Sequence, residues 1–251
     1  MRRSFRILVT GAALALALSG CIGTPTSPSR SPSPSLSTPP ATPSATPAKG
    51  CPPTPGTTAP ANAVTASTID VDGDGSPDTE WIAQIDTVTR FGVTTASGAT
   101  FSYDVNSASP VPRGGFVARL TPTRVISLLS DGRGAYLHTI VNCAFVEPTD
   151  SQGKPYTFDL QNLRGNGTGV GCIPVDGSLE LVGYQAVTAN GTSTVKQTVI
   201  TLNGAGTIAS NGATTAVATN VPSTDPIVAT ASAVTCGEVT IPSGGVILPN
   251  G

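Results

Sequence analysis

Ile69-Asp70-Val71-Asp72-Gly73-Asp74-Gly75-Ser76-Pro77-Asp78 runs directly into Thr79-Glu80-Trp81-Ile82-Ala83-Gln84-Ile85-Asp86. The second stretch alternates polar and apolar residues, the period of a strand with one face turned inward. The acidic loop therefore opens a strand and not an exiting helix. Asp70, Asp72 and Asp74 stand at alternate positions, with a fourth carboxylate at Asp78. Like charges packed so closely repel one another, and a hard cation removes the conflict. Ca²⁺ takes six to eight oxygen ligands at about 2.3–2.6 Å, and a D-x-D-x-D-G loop supplies them from alternate residues. The expected ligands are the side chains of Asp70, Asp72, Asp74 and Asp78 and the backbone carbonyl of Ser76. Gly75 lets the chain turn sharply without a Cβ clash. The plainer reading is an acidic, solvated turn, since Asp and Gly are common turn residues. An EF-hand is excluded, because that loop needs a bidentate Glu at its twelfth position and Trp81 stands there. Trp81 itself reads as a core anchor in a chain short of aromatics.

Asp70 to Ala83 resembles the FG-GAP/VCBS type of repeat, in which D-x-D-G-D-G-x-x-D leads straight into a strand. The resemblance implies a blade of an integrin-like β-propeller with calcium in the loop. A weaker echo follows: Val175-Asp176-Gly177 leads into Glu180-Leu181-Val182-Gly183, keeping turn and strand but not the other carboxylates. It is expected to hold no metal. Two units of this size do not make a seven-bladed ring. A partial, propeller-like stack of antiparallel sheets, or a barrel or sandwich, is the expectation.

Outward from the loop the chain keeps this character. Only 11% of its residues are charged and 4% aromatic, so a core must be built from small β-branched side chains. No long run follows the 3.6-residue period. Strands are expected near 80–86, 89–94, 100–105, 115–120, 124–129, 135–142, 156–160, 179–187, 194–202 and 207–209. Asp131-Gly132 and Asn203-Gly204 mark turns, the second a hairpin. The fold class is all-β, filling residues 61–251.

The first 60 residues read differently. Arg2, Arg3 and Arg6 precede an apolar run from Ile7 to Leu18, too short to span a bilayer and right for a signal peptide. It ends in Leu18-Ser19-Gly20-Cys21, which resembles the bacterial lipobox. That resemblance implies cleavage after residue 20 and lipidation of Cys21, anchoring the protein to the extracytoplasmic face of the cell membrane by acyl chains. Residues 21–60 are rich in Pro, Ser and Thr and hold hardly a large apolar side chain, so they cannot offset the entropy of ordering. They read as a disordered tether, reaching roughly 100 Å if drawn out.

Cys51, Cys143, Cys172 and Cys236 remain, an even number in an exported chain. Two disulfides are expected, with Cys143–Cys172 and Cys51–Cys236 the favoured of three pairings. Zinc is excluded by spacing: there is no C-x-x-C, and His138 is the only histidine. The whole chain carries 13 basic and 15 acidic residues. Without Arg2, Arg3 and Arg6 the balance is 10 against 15, about −5, with no basic footprint for nucleic acid.

Catalytic signals are weak. His138 lies in the alternating run Tyr136–Val141, where a strand histidine is the plain reading, and no G-x-S-x-G elbow occurs. Gly165–Gly171 lacks the phosphate-loop spacing and reads as a glycine-rich loop. Asp104, Glu147, Asp159 and Glu180 stand singly, with no facing pair for glycoside hydrolysis. The leading expectation is a non-enzymatic surface lipoprotein with a calcium-stabilised β domain that binds an envelope protein or glycan. The alternatives are a glycan hydrolase of the envelope with an unrecognised site, and a purely structural envelope protein.

Overall fold

The computed structural model describes residues 50–107 and 109–249. The expected signal peptide, the lipidation site Cys21 and the tether as far as residue 49 lie outside the described residues. The described chain is all-β, in several antiparallel sheets, none closed into a barrel. Helix among the described residues is one short turn.

The first sheet is a four-stranded meander of β1 (Val64–Ser67), β2 (Thr79–Ile85), β3 (Val88–Thr94) and β4 (Thr100–Asn106). The next four strands in the chain, β5 (Gly114–Thr121), β6 (Arg124–Ser130), β7 (Gly134–Val141) and β8 (Ala144–Val146), form a second meander. The short β9 (Thr157–Asp159) takes the other half of the β7 edge that β8 uses. The third sheet is again a meander, of β10 (Gly169–Val175), β11 (Ser178–Ala189), β12 (Thr192–Leu202) and β13 (Ala209–Pro222). The helical turn α1 (Pro226–Thr230) and the two-residue strands β14 (Thr235–Cys236), β15 (Val239–Thr240) and β16 (Val246–Ile247) complete the chain, with β16 returning to pair with β5.

The second sheet is the middle layer of a stack, which explains its sequence. One face sends Phe116, Ala118, Ile126, Leu128 and Leu137 into a core shared with Val170, Leu181 and Ile200 of the third sheet. The other sends Val117, Val125 and Leu129 into a core shared with Ile82, Phe91, Val93 and Val105 of the first. A sheet covered on both faces cannot alternate cleanly, and Arg124–Ser130 is buried at every position after its first residue. Strands with one free face alternate, as β4 does. The stack is sandwich-like, and the closed ring implied by the propeller resemblance is not formed.

Two disulfides are present, paired otherwise than expected. Cys51 joins Cys143, and Cys172 joins Cys236. Cys143–Cys172 was expected to clip two neighbouring sheet units, but Cys143 sits in the β7–β8 turn of the middle sheet and Cys172 within β10 of the third, each with another partner. The C-terminal segment runs beside β10, with Val170 bridged to Val234, and that brings Cys236 to Cys172. Within the stretch placed in the tether by composition, Cys51 is buried and bridged and Thr54 is bonded to the Gly98 carbonyl, while residues 52–58 are exposed. Residues 169–175, read in part as glycine-rich loop, are strand β10.

Candidate metal loop

The acidic loop closes the β1–β2 hairpin. Val64–Ser67 pairs with Thr79–Ile82, and Thr68 N–H donates to the Asp78 carbonyl, so both ends of the loop are fixed by the sheet. Three of the four aspartates converge. One carboxylate oxygen from each of Asp70, Asp72 and Asp78 lies within 4.8 Å of the others. Gly73 and Gly75, at φ 78° and 96°, turn the chain between them in the left-handed region that glycine accepts freely.

Asp74 does not join this group. Its Oδ1 accepts the Ser76 N–H at 2.7 Å, an Asx turn that holds the carboxylate on its own backbone. Ser76 thus enters the loop as a donor. Asp74 contributes its N–H, 3.2 Å from both Asp70 Oδ1 and Asp72 Oδ1.

Each converging carboxylate is oriented by backbone donors. Asp70 accepts from Gly73 at 2.6 Å and Gly75 at 2.9 Å. Asp78, only 2% exposed, accepts from Val71 at 2.7 Å and from Ala96 in the β3–β4 turn at 2.8 Å. Asp72 Oδ2 accepts the Cys51 N–H at 2.7 Å and lies 3.0 Å from the Ser97 hydroxyl. Arg119 of the middle sheet donates to the Asp70 carbonyl and, at 3.2 Å, to that of Pro122. Cys51, Ala96, Ser97 and Arg119 were not legible as parts of this site, because no local motif carries them.

Electrostatics distinguishes the three acids. Burial pulls Asp70 upward, but the N–H groups of Gly75, Gly73 and Asp74 and the charge of Arg119 outweigh it, leaving the carboxyl below its ordinary range. Burial raises Asp78, and the charges of Asp72 and Asp70 add to this against the N–H groups of Ala96 and Val71. The donor set is all hard oxygen and carries the excess negative charge that calcium neutralises, so it fits that ion in kind. Three carboxylates leave the remaining ligand positions to carbonyls and water.

The stretch Val175-Asp176-Gly177, read from sequence as a weaker echo of the loop, forms the β10–β11 turn, with Asp176 and Gly177 at φ 46° and 77°. This turn and the acidic loop each lie in the first hairpin of a four-stranded meander. They face one groove of about 730 Å³, lined by Asp70, Arg119, Pro122, Pro174 and Leu179 among others.

The other candidates take structural places. Trp81 is 1% exposed and lies against Gly92, where an added Cβ would stand 2.2 Å from the indole. His138 stacks on Tyr103 with ring centroids 3.6 Å apart. Ser127, its cross-strand neighbour, is hydrogen-bonded to the Tyr103 hydroxyl at 3.1 Å. Asp104 pairs with Arg90 on the surface. Compared with protein families, with curated proteins and with solved structures, the chain matches none.

Proposed function

We propose that this chain is a lipid-anchored surface protein whose β domain is stabilised by calcium and serves as a binding or adhesion module. The convergence of Asp70, Asp72 and Asp78 in the loop between β1 and β2 supports the calcium reading, because carboxylates so close repel one another and a cation among them relieves that repulsion. The likeness to an FG-GAP/VCBS repeat agrees with it. The lipobox-like Leu18–Cys21 and the Pro/Ser/Thr-rich tether supply the address, and the groove beside the loop supplies a surface for an envelope protein or glycan.

The test is thermal unfolding with chelator and with added calcium. At a calcium concentration about a hundred times Kd, binding adds about 2.7 kcal/mol. Chelation should lower the Tm, and Asp72→Ala should remove the sensitivity. A melting curve indifferent to both would overturn the calcium reading. Lipidation has its own test: labelled palmitate should enter the wild-type protein in its native host and not Cys21→Ser.

A further inference from the structure

The Cys51–Cys143 bridge does more than close a loop. Cys51 N–H is one of the two donors that hold Asp72 Oδ2. Its carbonyl accepts from the same Ser97 hydroxyl, at 2.7 Å. That hydroxyl, which also lies 2.7 Å from the Thr95 hydroxyl, has one hydrogen to share among its partners, so Cys51, Ser97, Asp72 and Thr95 form one small network. Gly50 closes it from the other side: at φ 104°, an added Cβ would stand 3.0 Å from Asp72 Oδ2 and 2.9 Å from Asp74 Cβ. Besides these Cys51 hydrogen bonds and the bridge to the middle sheet, residues 50–57 are held by Thr54, whose N–H donates to the Gly98 carbonyl and whose hydroxyl accepts the Thr100 N–H.

The two disulfides differ in access. Cys172 and Cys236 are 8% and 1% exposed and lie in the core between the middle and third sheets. Cys143 is half-buried in a two-residue turn where it and Asn142 both have positive φ, 62° and 50°. A thiol in solution reaches Cys143 Sγ more readily than either sulfur of the buried bridge.

We infer that the Cys51–Cys143 disulfide is a redox control on the cation loop: intact, it positions Asp72 for the ion, and reduced, it releases the Cys51 segment and weakens binding. The inference rests on the cation reading above. The reductant is a dithiol of the thiol–disulfide oxidoreductase class. Its thiolate attacks Cys143 Sγ and Cys51 leaves as a thiolate. Its second thiol then resolves the mixed disulfide, freeing Cys143 and leaving the reductant as a disulfide. Two electrons and two protons pass to the protein. Linkage makes the effect reciprocal, so the factor by which the bridge strengthens calcium binding is the factor by which calcium resists reduction.

The experiment has two arms on the mature full-length chain, with calcium chloride as the probe. In the first, calorimetry compares the oxidised protein with the Cys51→Ser/Cys143→Ser double variant, after circular dichroism has shown that the variant is folded. Affinity should fall at least fivefold. In the second, dithiothreitol reduces the wild type with and without calcium, and alkylated cysteines are located by mass spectrometry. At redox equilibrium calcium should raise the fraction of Cys51–Cys143 that stays oxidised, leave Cys172–Cys236 unaffected, and lose its effect in Asp72→Ala. Absence of binding to the oxidised protein would overturn the cation reading itself. Binding of equal strength with and without the bridge, together with reduction indifferent to calcium, would overturn the coupling alone. If the variant does not fold, the second arm decides.

Discussion

Glu80 and His138 are buried on the two sheets whose facing surfaces form one core, and they set opposite ends of a pH profile. Glu80 Oε2 accepts the Val117 N–H at 2.7 Å, stitching the first sheet to the middle one. Thr68 stands near enough to favour the charged form, yet no donor meets Oε1 in hydrogen-bond geometry. Burial therefore dominates and pushes the carboxyl up to about 8. Unfolded, it titrates near 4.3, so its contribution is complete below about 4.3 and is lost as pH rises. Burial lowers His138 to about 4. Its contribution is complete above the unfolded value of about 6.5 and is lost as pH falls. Between about 4.5 and 6.5 the two slopes oppose each other, and above that range Glu80 acts alone. Stability should fall from pH 6.5 to 8 by on the order of 2 kcal/mol. Urea unfolding at the two pH values checks this, and Glu80→Gln should flatten the decline. A wild-type midpoint unchanged over this range would show that Glu80 is not held protonated.

At the level of elements, glycine and cysteine decide how closely strands pack. Trp81 and Gly92 are cross-strand partners, and the indole occupies the volume a side chain at position 92 would need. Gly92→Ala should cost about 1–3 kcal/mol by overpacking, read from chemical denaturation. The Cys172–Cys236 bridge spans 64 residues, a loop worth about 4 kcal/mol in the chain-entropy model. Cys172→Ser/Cys236→Ser should lose stability of that order. The sequence made β2 to β7, β9, β11 and β12 legible, because each has alternation or a dense apolar run between turn residues. It hid β10, whose Gly169, Gly171 and Pro174 are poor strand residues. It also hid most of β13, where Asn, Gly and Ala take strand form because β12 offers a partner, with three register shifts along the pair. The acidic loop was legible because its carboxylates are local, but that Asp74 turns back onto the Ser76 N–H and stays out of the group was not. Nor were the loop's supports: Cys51 and Ser97 lie 21 and 25 residues from Asp72, and Arg119 lies 49 from Asp70. Distances of that kind are set by the stack, as are the disulfide pairings.

Across the whole domain, the middle sheet joins two cores that neither neighbouring sheet forms alone. Leu128 belongs to the core with the third sheet and Leu129 to the core with the first. Leu128→Ala and Leu129→Ala should each cost about 2–5 kcal/mol. Because both act through one shared layer, each should shift a single unfolding transition, with fluorescence and circular dichroism coinciding. Separate transitions would mean that the layers fold independently. The loop matters at this scale too. It spans the first hairpin, receives Arg119 from the middle sheet, and meets the chain's entry at Cys51, which is bridged to the same sheet. An ion there would tie these three parts together. The most direct measurement is a crystal structure of the disulfide-intact protein grown in millimolar calcium, with anomalous scattering used to locate the ion. The account predicts one calcium among Asp70, Asp72 and Asp78, with carboxylate oxygens about 2.3–2.6 Å away. A well-ordered loop with no anomalous peak, or a peak held by other residues, would contradict it.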